Sequence, residues 1–369
     1  MEFTTRPVHG GNLAWAAALA GCSPDQLLDF SASINPLGPP QSAIAAIVAH
    51  LKDLSHYPDP DYLELRSRLA QSHAVAADWV LPGNGAAELL SWAGRDCSNL
   101  QAVYLPVPAF SDYRRSLRAA SVPVIDCPLV IKDKWPEAAL VTCLSDAIEQ
   151  GPAAQNCALL LNNPHNPTGW LFSQATLRPY LDSFGLVIVD EAFMDFLPPA
   201  QQQSLIAQVK DFPNLVILRS LTKFYSLPGL RLGYAIAHPE RLRRWQQWRD
   251  PWPVNTLAVA ATLAVLDDRE FQNKTWQWLE PTRSQLLSCL NQISYLQPLA
   301  GCANFLLVAC DRSVTELQQQ LLQRHRLLIR DCLSFESLGD RYFRVAVRSA
   351  ADNCRLITAL AEGHKSNSL

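Results

Sequence analysis

The chain has 369 residues, is 49% hydrophobic, and carries 31 Lys and Arg against 34 Asp and Glu for a formal charge of −3. That length exceeds the size at which one core keeps growing, so two domains are expected, and a balanced charge without like-sign runs argues against nucleic acid as the main partner. No stretch approaches the roughly 18 uninterrupted apolar residues of a membrane span, and the first residues lack the basic, apolar and cleavage-site order of a signal peptide, so a cytoplasmic protein off the membrane is expected.

In chain order, the first 55 or so residues are rich in Gly, Pro and Asn and read as an irregular arm that leans on another part of the molecule. From about 60 to 240, helical patterns alternate with short apolar runs, the signature of an α/β domain with a mostly parallel sheet. "DYLELRSRLAQSHA" from Asp61 and "AAELLSWAG" read as helices; "AVYLPVP", "ALLLNNP", "GLVIVDEAF", "NLVILRS" and "RLGYAIA" read as buried strands. A boundary is expected near "RWQQWRDPWPVN", where prolines interrupt two helical patterns. Beyond it lie two long helices, "TLAVAATLAVLDD" and "FQNKTWQWLEPTRSQLLSCLNQI", then a smaller α+β unit with strands "NFLLVAC", "RLLIRD" and "YFRVAVR" and helices "SVTELQQQLLQRH" and "NCRLITALAEG". The expected division is an arm (1–55), a large domain (56–248) and a small domain (249–369). The ten cysteines are scattered singly, with no C-x-x-C pair and no Cys/His spacing suited to zinc, so reduced thiols and no metal site are expected, with disulfides left open.

The chemistry gathers where apolar runs end. Lys223 follows a predicted strand beside Ser220 and Thr222, with Arg231 eight residues on. A lysine alone is a surface charge, but two hydroxyls and a guanidinium make a set that holds a phosphate dianion next to an amine. Such an amine suits a Schiff base with a phosphorylated aldehyde. Asp190 ends "VIVD", where a carboxylate either caps a turn or pairs with a pyridine nitrogen to make the ring an electron sink. Asn166, in "NNPHNPTG", is a turn residue or a donor to the phenolic oxygen of that ring. "GNGAAE" opens a helix whose N–H groups at Gly85 and Ala86 are placed to hold a phosphate.

A Gly-rich turn, Asn-Pro-Thr-Gly, an Asp after an apolar strand and Ser-x-x-Lys followed by Arg, in that order, resemble the fold type I pyridoxal-phosphate enzymes of the aspartate aminotransferase superfamily, over nearly the whole chain. The resemblance implies pyridoxal 5'-phosphate as cofactor and an α/β fold with a mostly parallel seven-stranded sheet flanked by helices, plus a smaller α+β domain. It implies Lys223 as covalent anchor and proton shuttle, and Ser220, Thr222 and Arg231 as phosphate ligands. It also implies Phe110, in "PVPAFSDY", as the aromatic on the ring, with a packed core Phe as the alternative.

The strings "HGGN", "DFSASINPLGPP", "YPDPDY", "PWPVN" and "LLIRDCLSFESLGDRYFRVAVR" look like the threonine-phosphate decarboxylase group of cobalamin biosynthesis, close kin to histidinol-phosphate aminotransferase. This implies loss of carbon dioxide from L-threonine O-3-phosphate to give (R)-1-amino-2-propanol O-2-phosphate. Arg344 is then expected on the α-carboxylate and Arg330 near the substrate, each with a rim ion pair as alternative. His9, Gly10, Gly11 and Asn12 are expected as an anion nest for the substrate phosphate. Asn35 is expected in the same pocket or in a turn. Tyr57 is expected to be lent to the neighbouring subunit's cofactor phosphate, in a homodimer with shared sites, or to be a packed aromatic. Phe193 replaces the tyrosine of the aminotransferases' "DEAY", which removes one hydroxyl from the phenolic oxygen and fits the decarboxylase pattern. The alternatives are a histidinol-phosphate-type aminotransferase and a catalytically silent pyridoxal-phosphate-binding protein.

Overall fold

Continuous Val, Ile and Leu runs have no polar face to show to water, so the sheet they build must be covered on both sides. The computed structural model, which describes residues 6–131 and 136–365, bears this out. After a short β1 (Leu28–Asp29) come β2 (Val80–Asn84), β3 (Val103–Val107), β4 (Val124–Pro128), β5 (Ala158–Asn162), β6 (Leu186–Asp190), β7 (Leu215–Ser220) and β8 (Leu232–Ala237). Strands β2 to β8 form one seven-stranded sheet in the order β2-β8-β7-β6-β5-β3-β4. Only β8 runs against its neighbours. One face packs on helices Gly85–Asp96, Ser111–Ala119 and Pro239–Trp248 through Leu89, Leu117 and Trp245. The other packs on Leu63–Ser72, Pro136–Gln150 and Gln174–Ser183 through Leu69, Leu140 and Leu177.

Sequence order reverses between β3 and β5, because β4 lies outside β3 while β6 and β7 lie outside β5. Crossovers therefore leave that point toward opposite sides and open a crevice beyond the carboxyl ends of the two strands. Behind it, the buried Arg219 on β7 bridges Glu191 at 3.0 Å and Asp195 at 2.6 Å, joining the turn after β6 to its neighbour strand.

The rest of the chain adds β9 (Leu296–Pro298), β10 (Phe305–Cys310), β11 (Leu327–Leu328), β12 (Arg330–Asp331) and β13 (Tyr342–Ala346). Four of them make an antiparallel sheet in the order β12-β13-β10-β9. The run "RLLIRD", expected as one strand, is two: β11 pairs in parallel with β1, Leu28 opposite Leu327, while β12 pairs with β13. The two halves serve different sheets, and the fully buried Ile329 lies between them.

The arm also departs from expectation. It contains helices Leu13–Ala20 and Gln41–Ala49. "LAWAAALA" is apolar all round and so shows no helical period to read, yet Asn12 caps it by accepting from the Trp15 N–H at 3.0 Å. Among the described residues no helix is long and apolar enough to cross a membrane, and all ten cysteines are free thiols.

Candidate active site

Four strand ends meet at one cavity of about 220 Å³ in that crevice. Phe110 follows β3, Asn162 ends β5, Asp190 ends β6, and Lys223 stands three residues past the end of β7. His9, Gly10, Arg330 and Arg344 close it from the arm and the small sheet.

Lys223 Nζ donates to Ser220 Oγ at 3.3 Å, and Ser220 Oγ lies 2.9 Å from Thr222 Oγ1. The Lys223 nitrogen lies over the Phe193 ring, 5.3 Å from its centre. Asn35 is not in the cavity. It fastens the lysine loop from behind: its N–H donates to Lys223 O at 3.0 Å, and its amide donates to Phe224 O at 2.8 Å and Thr275 Oγ1 at 2.9 Å.

Burial pushes the Lys223 amine below its ordinary pKa; Asp190 opposes this, while Arg231 and Arg344 reinforce it. Burial pushes the Asp190 carboxyl up, against the Lys223 charge, the Tyr113 hydroxyl and the Ala192 N–H. Tyr113 donates to Oδ2 at 2.8 Å and Ala192 to Oδ1 at 3.0 Å. The same dry pocket thus drives amine and carboxyl toward their neutral forms.

Asn166 is steered by Asn162, whose side-chain oxygen accepts the Asn166 N–H at 2.9 Å while its amide donates to Pro164 O at 2.6 Å. The Asn166 oxygen accepts from Arg344 Nη1 at 2.5 Å. Arg344 has no carboxylate in ion-pair range among the described residues, and its buried Nε has no partner. Burial, then neighbouring Arg330, bring its pKa down to about 10. Arg330 donates to Val8 O and to Ser334 Oγ at 2.5 Å, with Asp331 3.9 Å away.

A second cluster, beside the cavity, forms at the start of helix Gly85–Asp96. Gly85 has φ +74°, and a Cβ there would lie 2.5 Å from Arg231 Nη2; a Cβ on Gly233 would lie 2.6 Å from the Ala86 nitrogen. Gly233 is paired with Ser220 across β7 and β8. Both glycines are therefore needed for close approach, and they bring the Arg231 guanidinium, the Ser220 hydroxyl and the helix start together. Arg231 has no acidic partner among the described residues; its side chain donates to Pro228 O at 3.1 Å. Uncompensated donors beside a partly buried amine fit pyridoxal 5'-phosphate: donors for the phosphate, Lys223 for the aldehyde, Asp190 for the ring nitrogen.

Of the "HGGN" string, only His9 and Gly10 line the cavity. The Gly11 N–H donates to Ser31 Oγ at 2.8 Å and Asn12 caps its helix, so both hold the arm in place. The Phe110 ring centre is 5.5 Å from that of His9 and 5.6 Å from that of Tyr113. Tyr57 lies outside the cavity, 78% exposed and stacked on Trp252 at 4.4 Å. Sequence reasoning passed over Tyr113 and Asn162. The signals available were the one-turn spacing of Tyr113 from Phe110 and the doubled Asn before Pro.

The model of the family "Aminotransferase class I and II" matches residues 25–360. The threonine-phosphate decarboxylase of Salmonella typhimurium is 41% identical over 360 residues, 95% of each chain. The adenosylcobalamin biosynthesis bifunctional protein CobDQ of Leptospira interrogans is 28% identical over 361 residues, 96% of this chain and 41% of that protein. The crystal structure of histidinol-phosphate aminotransferase from Clostridium acetobutylicum superposes with a TM-score of 0.80 at 27% identity, over 91% of this chain and 99% of that one. With that match spanning residues 25–360 and a decarboxylase relative 41% identical over 95% of its length, this chain belongs to the aminotransferase class I and II family.

Proposed function

We propose that the chain decarboxylates L-threonine O-3-phosphate to (R)-1-amino-2-propanol O-2-phosphate in cobalamin biosynthesis, with pyridoxal 5'-phosphate as cofactor. The observation that carries this is the 41% identity, end to end, with a threonine-phosphate decarboxylase. A cavity that sets two arginines and a histidine around the lysine supports it, because the substrate is anionic at two ends.

When bound, pyridoxal phosphate supplies an electron sink for the pair left on the substrate carbon. The chain's own residues do the rest. Burial keeps Lys223 Nζ ready to lose its proton, so it serves as the nucleophilic amine and later returns a proton to the substrate carbon. Asp190, fixed by Tyr113 and Ala192, would accept from the ring nitrogen; Asn166 would donate to the phenolic oxygen and Phe110 would pack on the ring. Ser220, Thr222, Arg231 and the N–H groups at Gly85 and Ala86 bind the cofactor phosphate. Arg344 takes the α-carboxylate and Arg330 and His9 the other anion, and the direction in which Arg344 holds the carboxylate selects the bond that breaks.

The proposed molecule is a cytoplasmic homodimer. Val48, Leu51, Leu54, Tyr57, Leu63 and Trp252 are all exposed, an apolar surface that a second copy would cover while lending Tyr57 to its site. In this proposal the chain divides into an arm (1–55), a large domain (56–248) and a small domain (249–369).

The test is product analysis. Carbon dioxide and aminopropanol phosphate from threonine phosphate are expected. No carbon dioxide, with 2-oxoglutarate-dependent amino transfer from histidinol phosphate instead, would overturn the reading in favour of the aminotransferase activity named for the Clostridium protein.

A further inference from the structure

Among the basic groups that line the cavity stands a second carboxylate. Lys223, Arg330, Arg344 and His9 face it, and besides Asp190 the acid among the lining residues is Asp112. Asp112 lies in the first turn of helix Ser111–Ala119. Its Oδ1 is 3.4 Å from His9 Nε2 and accepts from Arg115 Nε at 2.9 Å. The side chain is 16% exposed, and the His9 contact is the first cause that holds its carboxyl below the usual range.

The arm around His9 is tied elsewhere. Arg6 donates to Thr315 Oγ1 at 2.9 Å and Gln318 Oε1 at 2.8 Å, Val8 O accepts from Arg330, and the Gly11 N–H goes to Ser31. Those contacts fix the backbone on the arm's own side of the cleft; His9 reaches across it to Asp112. Both residues also line a neighbouring cavity of about 570 Å³ that holds Arg114, Arg115 and Arg118. The pair therefore stands where the reacting cavity joins an outer one.

We propose that Asp112 is a positioning residue for the anionic outer end of the substrate. By accepting from Nε2 it fixes the His9 ring at the join of the two cavities; as an imidazolium the ring then has its Nδ1–H left to donate to the phosphate of a substrate whose amino end is at Lys223. Without that acceptor the half-exposed ring is free to turn, and the site loses an oriented donor while keeping its reacting groups. The inference rests on the reading that the substrate carries a phosphate.

The experiment compares holoenzymes of the Asp112→Asn, Asp112→Glu, His9→Ala and double His9→Ala/Asp112→Asn variants, with threonine phosphate as substrate and inorganic phosphate as competing anion. Asp112→Asn is expected to raise KM and the phosphate inhibition constant about tenfold with kcat within about twofold. Cofactor absorbance and melting temperature should match the wild type, Asp112→Glu should recover most of the loss, and Asp112→Asn should add nothing in the His9→Ala background. A KM and phosphate constant unmoved by Asp112→Asn, or an equal further loss in the His9→Ala background, would overturn the proposal. Should the wild type release no carbon dioxide from threonine phosphate, the substrate reading fails on its own. Calorimetric titration of holoenzyme with inorganic phosphate then decides the role of Asp112: about tenfold weaker binding in Asp112→Asn supports it and equal binding overturns it.

Discussion

Arg344 Nη1 donates to the side-chain oxygen of Asn166 at 2.5 Å, across 178 residues of sequence. The guanidinium proposed to take the substrate carboxylate thus also sets the face of the amide proposed to serve the cofactor: with its oxygen held by Arg344, Asn166 must present its NH₂ to the ring. Arg344→Lys keeps the charge but loses the planar fork and this bond. It is expected to lower kcat/KM about 100-fold, the cost of one buried charged contact, while leaving cofactor affinity within a few-fold. Steady-state kinetics and an absorbance titration with cofactor check both.

Lys223→Ala removes the one amine among the groups that line the cavity. Turnover should fall by about 10³-fold or more, and borohydride should no longer attach the cofactor to the protein. Lys223 is in no salt bridge with a carboxylate among the described residues, so the melting temperature of the apo-protein should change by less than about 3 °C.

At Gly85 a Cβ would sit 2.5 Å from Arg231 Nη2 on a backbone with φ +74°. Gly85→Ala is therefore expected to cost about 1–2 kcal/mol in apo-protein stability and to push the arginine out of its place in the cradle. Cofactor dissociation, followed by gel filtration and absorbance, should weaken at least about tenfold.

Arg219→Met leaves the buried Glu191 and the partly buried Asp195 without their cation, 3.0 and 2.6 Å from where it stood. Destabilisation of about 3–5 kcal/mol is expected in denaturant titration, because the remaining carboxylates must be desolvated or protonated. Adding Glu191→Gln should recover part of that loss.

Two histidines make the fold sensitive to acid. Burial lowers the pKa of His165 to about 4 and that of His73 to about 3. The unfolded chain takes up these protons below its ordinary histidine pKa, whereas the folded chain does so only near pH 4 and below. Stability is thus full above about pH 6.5 and falls as pH drops, by up to about 1.4 kcal/mol per unit for each group. From pH 6.5 to 5 the apo-protein should lose about 2 kcal/mol through His165, and His165→Asn should flatten that part of the profile.

The site was legible where chemistry is carried by one residue at the end of an apolar run. Lys223, Asp190 and Asn166 each follow a strand visible as a Val, Ile and Leu stretch, and one-dimensional order suffices to line them up. What could not be read depends on partners far along the chain. The pairing of Tyr113 with Asp190, the use of Asn35 behind the lysine loop and the split at Ile329 are decided by packing and by which sheet claims each backbone group. Strand β2, "VLPGN", contains a Pro, a Gly and an Asn and is β-poor by propensity; it forms because β8 lies beside it. The arm's helices hid for the opposite reason, a surplus of alanine that leaves no contrast between faces.

The pairing of Leu28 with Leu327 sets an order of events at the ribosome. The early strand is made long before its mate: 299 residues separate them, on the order of 15–60 s of synthesis at usual elongation rates. Closing so long a loop also carries an entropic cost that grows with the logarithm of its length. The histidine that the arm carries therefore reaches its station only after Leu327 has been made, and the cavity around Lys223 is completed by the same late stretch of chain, which supplies Arg330 and Arg344.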